Sequence, residues 1–201
     1  MPEPQMTPRS FLFLLGSART GGNTEALARA AAEQLPPGTG QRWLHLASHD
    51  LPEYADARHA PGGPQAQPTT GDEALLLEAT LGASDLVIAS PLYWYSLSSA
   101  AKRYLDHWSK WLRTPDPGFR AAMAGRTLWG VTAMAHAEEE VARPLELTLQ
   151  HTAAYMGMRF GGVLLGNASR PGQVLADERA MARAKTFFAR QPEPARFPYE
   201  R

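Results

Sequence analysis

Short apolar runs alternate along the chain with stretches of helical periodicity, a pattern that predicts βαβ units around a parallel sheet. Phe11–Leu15 is an unbroken apolar run, as expected of a strand covered on both faces. A helix is predicted from about Thr24, with Leu27, Ala28, Ala31 and Leu35 on one face, stopped by Pro36-Pro37-Gly38. Arg42–Leu46 alternates weakly and reads as the second strand. Thr70 and Glu73 have the spacing of a capping box and open a helix with Leu75, Leu76 and Ala79 turned inward. Asp85–Ser90 is the third strand, ended by Pro91. A helix from about Ser98 carries Ala101, Tyr104/Leu105, Trp108 and Trp111/Leu112 at helical spacing. Thr127–Ala133 is the fourth strand. The next helix starts near Arg143 with Pro144 in its first turn, and runs to about Met156 with Leu145, Leu149, Thr152 and Met156 on one face. Phe160–Leu165 is the fifth strand, and a last helix covers about Leu175–Ala189. Strands and helices alternate five times over, with no internal repeat.

These elements fill residues 11–190, one domain, with a flexible arm at 1–10 and a tail at 191–201. The tail carries Phe197 and Tyr199, and reads either as disordered or as docked on a neighbouring subunit. Residues 48–71 are rich in Pro, Gly, His and Ala and lack periodicity. Loops of that length in compact domains are functional or disordered.

Composition narrows the chemistry. Twenty basic and 20 acidic residues cancel, so there is no electrostatic footprint for nucleic acid or an anionic membrane. The absence of cysteine excludes disulfides, thiolate-held clusters or zinc, and a cysteine nucleophile. Redox chemistry therefore needs an organic cofactor or a metal held by His and carboxylates. The apolar run at Phe11–Leu15 is too short for a signal-peptide core or a membrane span, which leads to the expectation of a soluble, cytoplasmic protein.

Two loops carry candidate chemistry. The first, G-S-A-R-T-G-G-N-T from Gly16 to Thr24, lies between the first strand and the first helix. In an open α/β sheet, ligands bind at the carboxyl ends of the strands near the switch in strand order. Glycines there bring backbone N–H groups close to an anion, and the helix dipole adds to the attraction. Ser17, Thr20, Asn23 and Thr24 supply neutral donors and Arg19 a fixed charge. The loop lacks the Lys of a triphosphate P-loop and the glycine spacing of the dinucleotide fingerprint, so a small terminal phosphate fits best. The plainer reading is a Gly-rich turn in which Asn or Thr caps the helix. The second loop, Ser90 to Ser96, holds Tyr93, Trp94 and Tyr95 in succession. Three aromatics in a row cannot all face one core, and flat apolar walls suit an isoalloxazine ring. The plainer reading packs Tyr93 and Trp94 beneath the next helix.

Together with D-L-P-E-Y (Asp50–Tyr54), A-K-x-x-L-D (Ala101–Asp106) and A-x-Y-M-G-M (Ala153–Met158), these motifs resemble the NAD(P)H-dependent FMN reductase and quinone reductase branch of the flavodoxin-like fold. The resemblance spans about residues 11–166. It implies an α/β three-layer sandwich whose five-stranded parallel sheet has the order 2-1-3-4-5, with helices on both faces. It implies bound FMN, with NAD(P)H as reductant and a small acceptor such as a quinone, free flavin or azo compound. Ser17, Arg19, Gly22, Asn23 and Thr24 would hold the phosphate. Pro91, Leu92, Tyr93, Trp94 and Tyr95 would border the ring, and Thr132 and Ala133 would approach it from the other side. Catalysis would rest on the flavin rather than on a side chain, with reductant and acceptor alternating at one face. A homodimer or homotetramer is implied, since a second subunit completes the open face in relatives. The chain departs from many relatives in having Leu97-Ser98 where a helix-opening proline is common.

Other classes remain in view. A flavodoxin-type electron carrier would be strongly acidic, unlike this chain, and a flavin-free binding module would share the fold alone. No metal is expected. His45 and His49 are four apart but need not share a face, and His136 reads as an exposed loop residue or a neighbour of the reduced ring. Trp108 and Trp111 read first as core, second as a dimer face, and Lys102 with Asp106 as a weak surface pair.

Overall fold

A computed structural model describes residues 9–56, 69–113 and 118–199. The strands β1 (Ser10–Leu15), β2 (Gly40–His45), β3 (Asp85–Ala89), β4 (Thr127–Met134) and β5 (Arg159–Asn167) form one parallel sheet in the order β2-β1-β3-β4-β5. This is the order that the flavodoxin-like resemblance implies. Residues of the central strands alternate between two buried layers. Leu12, Leu14, Leu86, Ile88 and Leu128 face the helices α2 (Gly71–Gly82), α3 (Ser99–Trp111), α4 (Phe119–Met123) and α5 (Arg143–Tyr155). Phe11, Phe13, Val87, Trp129 and Val131 face α1 (Asn23–Ala32) and α6 (Glu178–Ala184). Both faces are covered, which is why β1 and β3 need continuous apolar runs. The strand order reverses between β1 and β3, and the crevice for a ligand opens at their carboxyl ends.

Several local readings differ from the structure for identifiable reasons. Thr70 is the N-cap of α2, but its side chain makes no capping bond. Glu73 turns inward instead, where Lys110 Nζ donates at 2.7 Å and Trp111 Nε1 at 3.0 Å. Burial would raise the Glu73 carboxyl, yet the hydrogen bonds from Lys110, Trp111 and His107 hold it below the usual glutamate range. With the folded value depressed, its stabilising contribution is complete above the unfolded value and is lost as pH falls through the folded one. The urea midpoint of the wild type is expected to fall between about pH 5 and 3 more steeply than that of Glu73→Gln; parallel curves would refute this.

Instead of one helix over Leu175–Ala189, the chain makes a 3-10 turn at Gln173–Ala176, then α6, then a second 3-10 turn at Phe187–Ala189. The break falls at Asp177, which is extended and accepts from the Ala180 amide as the N-cap of α6. The short α4 has no periodicity long enough to read from sequence. Arg9, assigned to a flexible arm, pairs with Asp85 and donates to the Phe188 carbonyl; residues 1–8 lie outside the described residues. The tail runs along its own chain over residues 194–196. Pro194 bridges Arg159, the Ala195 amide donates to the Met158 carbonyl at 2.9 Å, and Gln150 Nε2 donates to the Arg196 carbonyl. Trp108 and Trp111 are buried in the core, and Lys102 pairs with Asp106 on the surface. Among the described residues no helix is long and apolar enough to cross a membrane, and no three His, Cys, Asp or Glu side chains converge on a metal position. Of the long loop 48–71, residues 57–68 lie outside the described residues.

Candidate functional site

Where β1 ends, the Gly16 amide donates to the Ala89 carbonyl of β3, and the Gly16 carbonyl accepts from Ser98 Oγ at 2.6 Å. Ser98 is the N-cap of α3, its hydroxyl accepting from the Ala101 amide, so the helix opens on serine where a proline is common. The Ser98 amide donates in turn to Ser90 Oγ at 2.8 Å. The roots of the first and third βα loops are thus joined through the Ser98 hydroxyl, with Ser90 holding Ser98 from within the third loop.

From this root the chain turns through residues 16–24 into α1. The Ser17 hydroxyl accepts from the Arg19 amide, and Glu25 Oε2 accepts from the Gly21 amide at 2.8 Å. Burial would raise the Glu25 carboxyl, but the Gly21 amide and the Arg29 guanidinium hold it below the usual glutamate range. Among the described residues, the amides of Ala18, Thr20, Gly22, Asn23 and Thr24 donate to no protein acceptor. These amides, the α1 dipole and the unpaired Arg19 guanidinium form a donor set for an anion.

The loop is one wall of a cavity of about 310 Å³, within the range for small-molecule sites. Ser17, Arg19, Thr20, Gly21, Gly22, Asn23 and Thr24 line one end, and Pro91, Leu92 and Tyr93 line another side. Ala133, Met134 and Ala135 of the fourth-strand loop close it from across the sheet, with Ala168, Ser169 and Pro171 beyond β5. Arg19 is the one guanidinium or ammonium on this wall among the described residues. A larger neighbouring cavity, about 460 Å³, shares Met134 but is edged by Glu139, Asp177, Glu178, Arg179 and Arg183, in part already paired with one another. It lacks the free amides of the smaller one.

Most of the residues picked from sequence therefore meet in one place, with four differences. Thr132 is wholly buried and off the cavity wall, because β4 alternation turns Ala133 rather than Thr132 toward α1. Its neighbour's amide, Ala133 N–H, donates to Thr24 Oγ1 at 3.3 Å. Trp94 and Tyr95 also lie off the wall. They form the tip of a two-residue turn closed by paired Tyr93–Ser96 backbone bonds of 3.1 and 3.0 Å, with φ of 49° and 63°. That turn ordinarily holds Asn-Gly, and bulky residues there cost about 1–3 kcal/mol each. Trp94 is 95% exposed. The fourth difference is Asn23, whose side chain is committed to the backbone of residues 170 and 174. Sequence reasoning missed the 168–171 wall, although every βα loop of such a sheet ends beside the crevice and A-S-R-P-G is a turn signal.

The donor set fits a phosphomonoester: hydroxyls of Ser17 and Thr20, free amides and one guanidinium, with apolar and aromatic walls a short distance on. Residues 10–166 match the model of the NADPH-dependent FMN reductase family. A curated relative, the NAD(P)H-dependent FMN-containing oxidoreductase YwqN of Bacillus subtilis (strain 168), is 31% identical over 176 residues, 87% of this chain and 94% of the relative. The solved structure of a Trp repressor binding protein from Bacillus subtilis superposes with a TM-score of 0.70 at 25% identity, covering 92% of this chain and all of that one (100%). An NAD(P)H:quinone oxidoreductase from Methanothermobacter marburgensis superposes with a TM-score of 0.65 at 15% identity, over 89% of this chain and 96% of that one, a likeness of fold.

Proposed function

Because the chain belongs to the NADPH-dependent FMN reductase family, we propose that its 310 Å³ cavity is the FMN site of an NAD(P)H-dependent reductase of small acceptors. The observation that carries this reading is the convergence, on one cavity, of uncommitted amides with Arg19 at one end and Pro91-Leu92-Tyr93 along the side. Ser17, Arg19, Thr20 and the amides of Gly22, Asn23 and Thr24 would hold the phosphate. Pro91, Leu92 and Tyr93 would border the ring, Ala133–Ala135 would approach it from the opposite side, and Trp94 and Tyr95 would stand at the mouth.

When bound, FMN supplies the hydride chemistry between NAD(P)H and the acceptor. The protein's own residues have three tasks: anchoring the phosphate, shielding the ring from water on one face, and leaving the other face open. No side chain needs to act as acid, base or nucleophile. One open face serves reductant and acceptor in turn, a ping-pong scheme. Quinones, free flavins and azo compounds are the acceptor classes that suit such a face. A homodimer or homotetramer would complete the open side, and the cytoplasm is the compartment that the cysteine-free, charge-balanced chain suits.

The test is an anaerobic absorbance spectrum of the purified protein with FMN, before and after NADPH or NADH. The flavin band is expected to appear with the protein and to bleach on adding reductant. Bound FMN that stays oxidised with both nucleotides would reduce the protein to an electron carrier or binding module. A protein that takes up no FMN would remove the site itself.

A further inference from the structure

We propose that Asn167 is a positioning residue that raises the reduction potential of the bound flavin by holding the backbone amides of Ala135 and His136 toward it, an inference that rests on the FMN reading above. Asn167 ends β5 opposite Met134 and is not on the wall of the 310 Å³ cavity, so its own side chain would not touch the flavin. It acts on the loop that does form that wall. Asn167 Nδ2 lies within reach of three successive carbonyl oxygens, those of His136 at 2.6 Å, Ala135 at 3.2 Å and Met134 at 3.5 Å. A side-chain amide nitrogen carries two N–H donors, so the two shorter contacts are the bonds. The Met134 carbonyl has its partner already in the Ala168 amide of β5's extension, at 2.8 Å.

Asn167 is itself anchored. Its backbone amide donates to Asp177 Oδ2 at 2.7 Å, while Asp177 Oδ1 caps α6 through the Ala180 amide. Farther along the loop, Glu139 Oε1 accepts from Arg183 Nη2 at 2.8 Å, and the same nitrogen donates to the Leu165 carbonyl at 3.3 Å. Both tethers pull the loop toward β5 and α6, where Asn167, Glu139 and Arg183 line the larger cavity.

A trans peptide is planar, with the carbonyl of one residue and the amide of the next on opposite edges. The Met134 and Ala135 carbonyls are turned to Ala168 and Asn167, so the amides of Ala135 and His136 leave the loop on the other edge. Met134 and Ala135 belong to the wall of the flavin cavity, and among the described residues neither amide donates to a protein acceptor. A hydride from NAD(P)H brings two electrons and one proton, so the ring that receives it gains one negative charge. Arg19, the one guanidinium or ammonium on this wall among the described residues, stands at the phosphate end. The added charge on the ring is therefore left to fixed amide dipoles, which stabilise it without having to reorganise.

The experiment measures the two-electron midpoint potential of the full-length protein with FMN bound, by equilibrium titration against a redox dye, together with the Kd for oxidised FMN. Asn167→Ala removes the donor that turns the carbonyls back. It is expected to weaken the binding of reduced FMN by about tenfold relative to oxidised FMN, which is a fall of about 30 mV in the two-electron potential. The Kd for oxidised FMN is expected to stay within about threefold of wild type. A folded Asn167→Ala protein with an unchanged potential overturns the proposal. So does one that loses oxidised and reduced FMN to the same extent, since that marks a structural role alone. If Asn167→Ala fails to fold, the wild type decides the matter: the amide proton resonances of Ala135 and His136 are expected to move downfield when bound FMN is reduced with dithionite, and resonances that do not move overturn the proposal. A wild type that takes up no FMN overturns the FMN reading itself, a distinct outcome.

Discussion

Gly16→Ala is expected to weaken FMN binding by about ten- to a hundredfold while leaving the sheet intact. A Cβ at residue 16 would stand 2.7 Å from Ser98 Oγ and 3.0 Å from Ala101 Cβ, closer than side chains pack. Neither neighbour can step aside freely. Ser98 Oγ donates to the Gly16 carbonyl and caps α3 through the Ala101 amide, and Ala101 is wholly buried. Relief has to come from moving the 16–24 loop away from the start of α3, and so from the Pro91–Tyr93 wall in the segment before it. Overpacking of this kind costs about 1–3 kcal/mol. Spent on the spacing between the two ends of one ligand, that cost appears as affinity, about tenfold per 1.4 kcal/mol. Fluorescence titration with FMN checks the affinity and far-UV circular dichroism checks the fold. An unchanged Kd in a folded variant would show that the two loops are not coupled at this point.

Gly161→Ala is expected to destabilise the fold by about 3 kcal/mol and to lower Tm by about 6–12 °C. The added methyl would lie 2.0 Å from Cε3 and 2.2 Å from Cζ3 of Trp129. That indole is wholly buried, and its Nε1 donates to Asp85 Oδ1 at 2.9 Å. Asp85 is itself buried and also accepts from Arg9 and Ser84, so the ring cannot swing away without breaking a polar cluster. Edge-on contacts with Phe187 and Phe188 block the remaining space. The strain falls on β5 and its irregular register with β4 between Leu128 and Gly130. Thermal unfolding followed by circular dichroism reads the effect; a Tm within 2 °C or so of wild type would mean that β5 shifts at little cost.

Fold and site were legible to different degrees, for physical reasons. The central strands announce themselves because both faces are covered: Phe11–Leu15 and Asp85–Ala89 are buried throughout. The loop from Gly16 to Thr24 stood out because backbone chemistry at a strand's carboxyl end constrains residue types, and the structure places Ser17, Arg19, Gly22 and Thr24 on a cavity wall. What escaped was decided by partners distant in sequence. Asn23 has the residue type of an anion ligand, but the carbonyl that claims it belongs to Arg170. Thr132 differs from Ala133 only in strand register, which a weakly patterned strand end does not reveal. Glu73 satisfies a capping-box spacing, yet the donors of Lys110 and Trp111 on α3 outbid the local amide. Trp94 and Tyr95 occupy left-handed positions that no propensity assigns to aromatics.

The central claim is that residues 16–24 grip a phosphomonoester, and the most direct measurement is the pair of dissociation constants for FMN and riboflavin with the wild-type protein. The two ligands share the ring and the ribityl chain and differ by the phosphate alone. Charge-assisted bonds from Arg19 and several free amides predict that FMN binds at least about a hundredfold more tightly. Equal affinity for the two would contradict it, because the loop would then contribute nothing to holding the ligand.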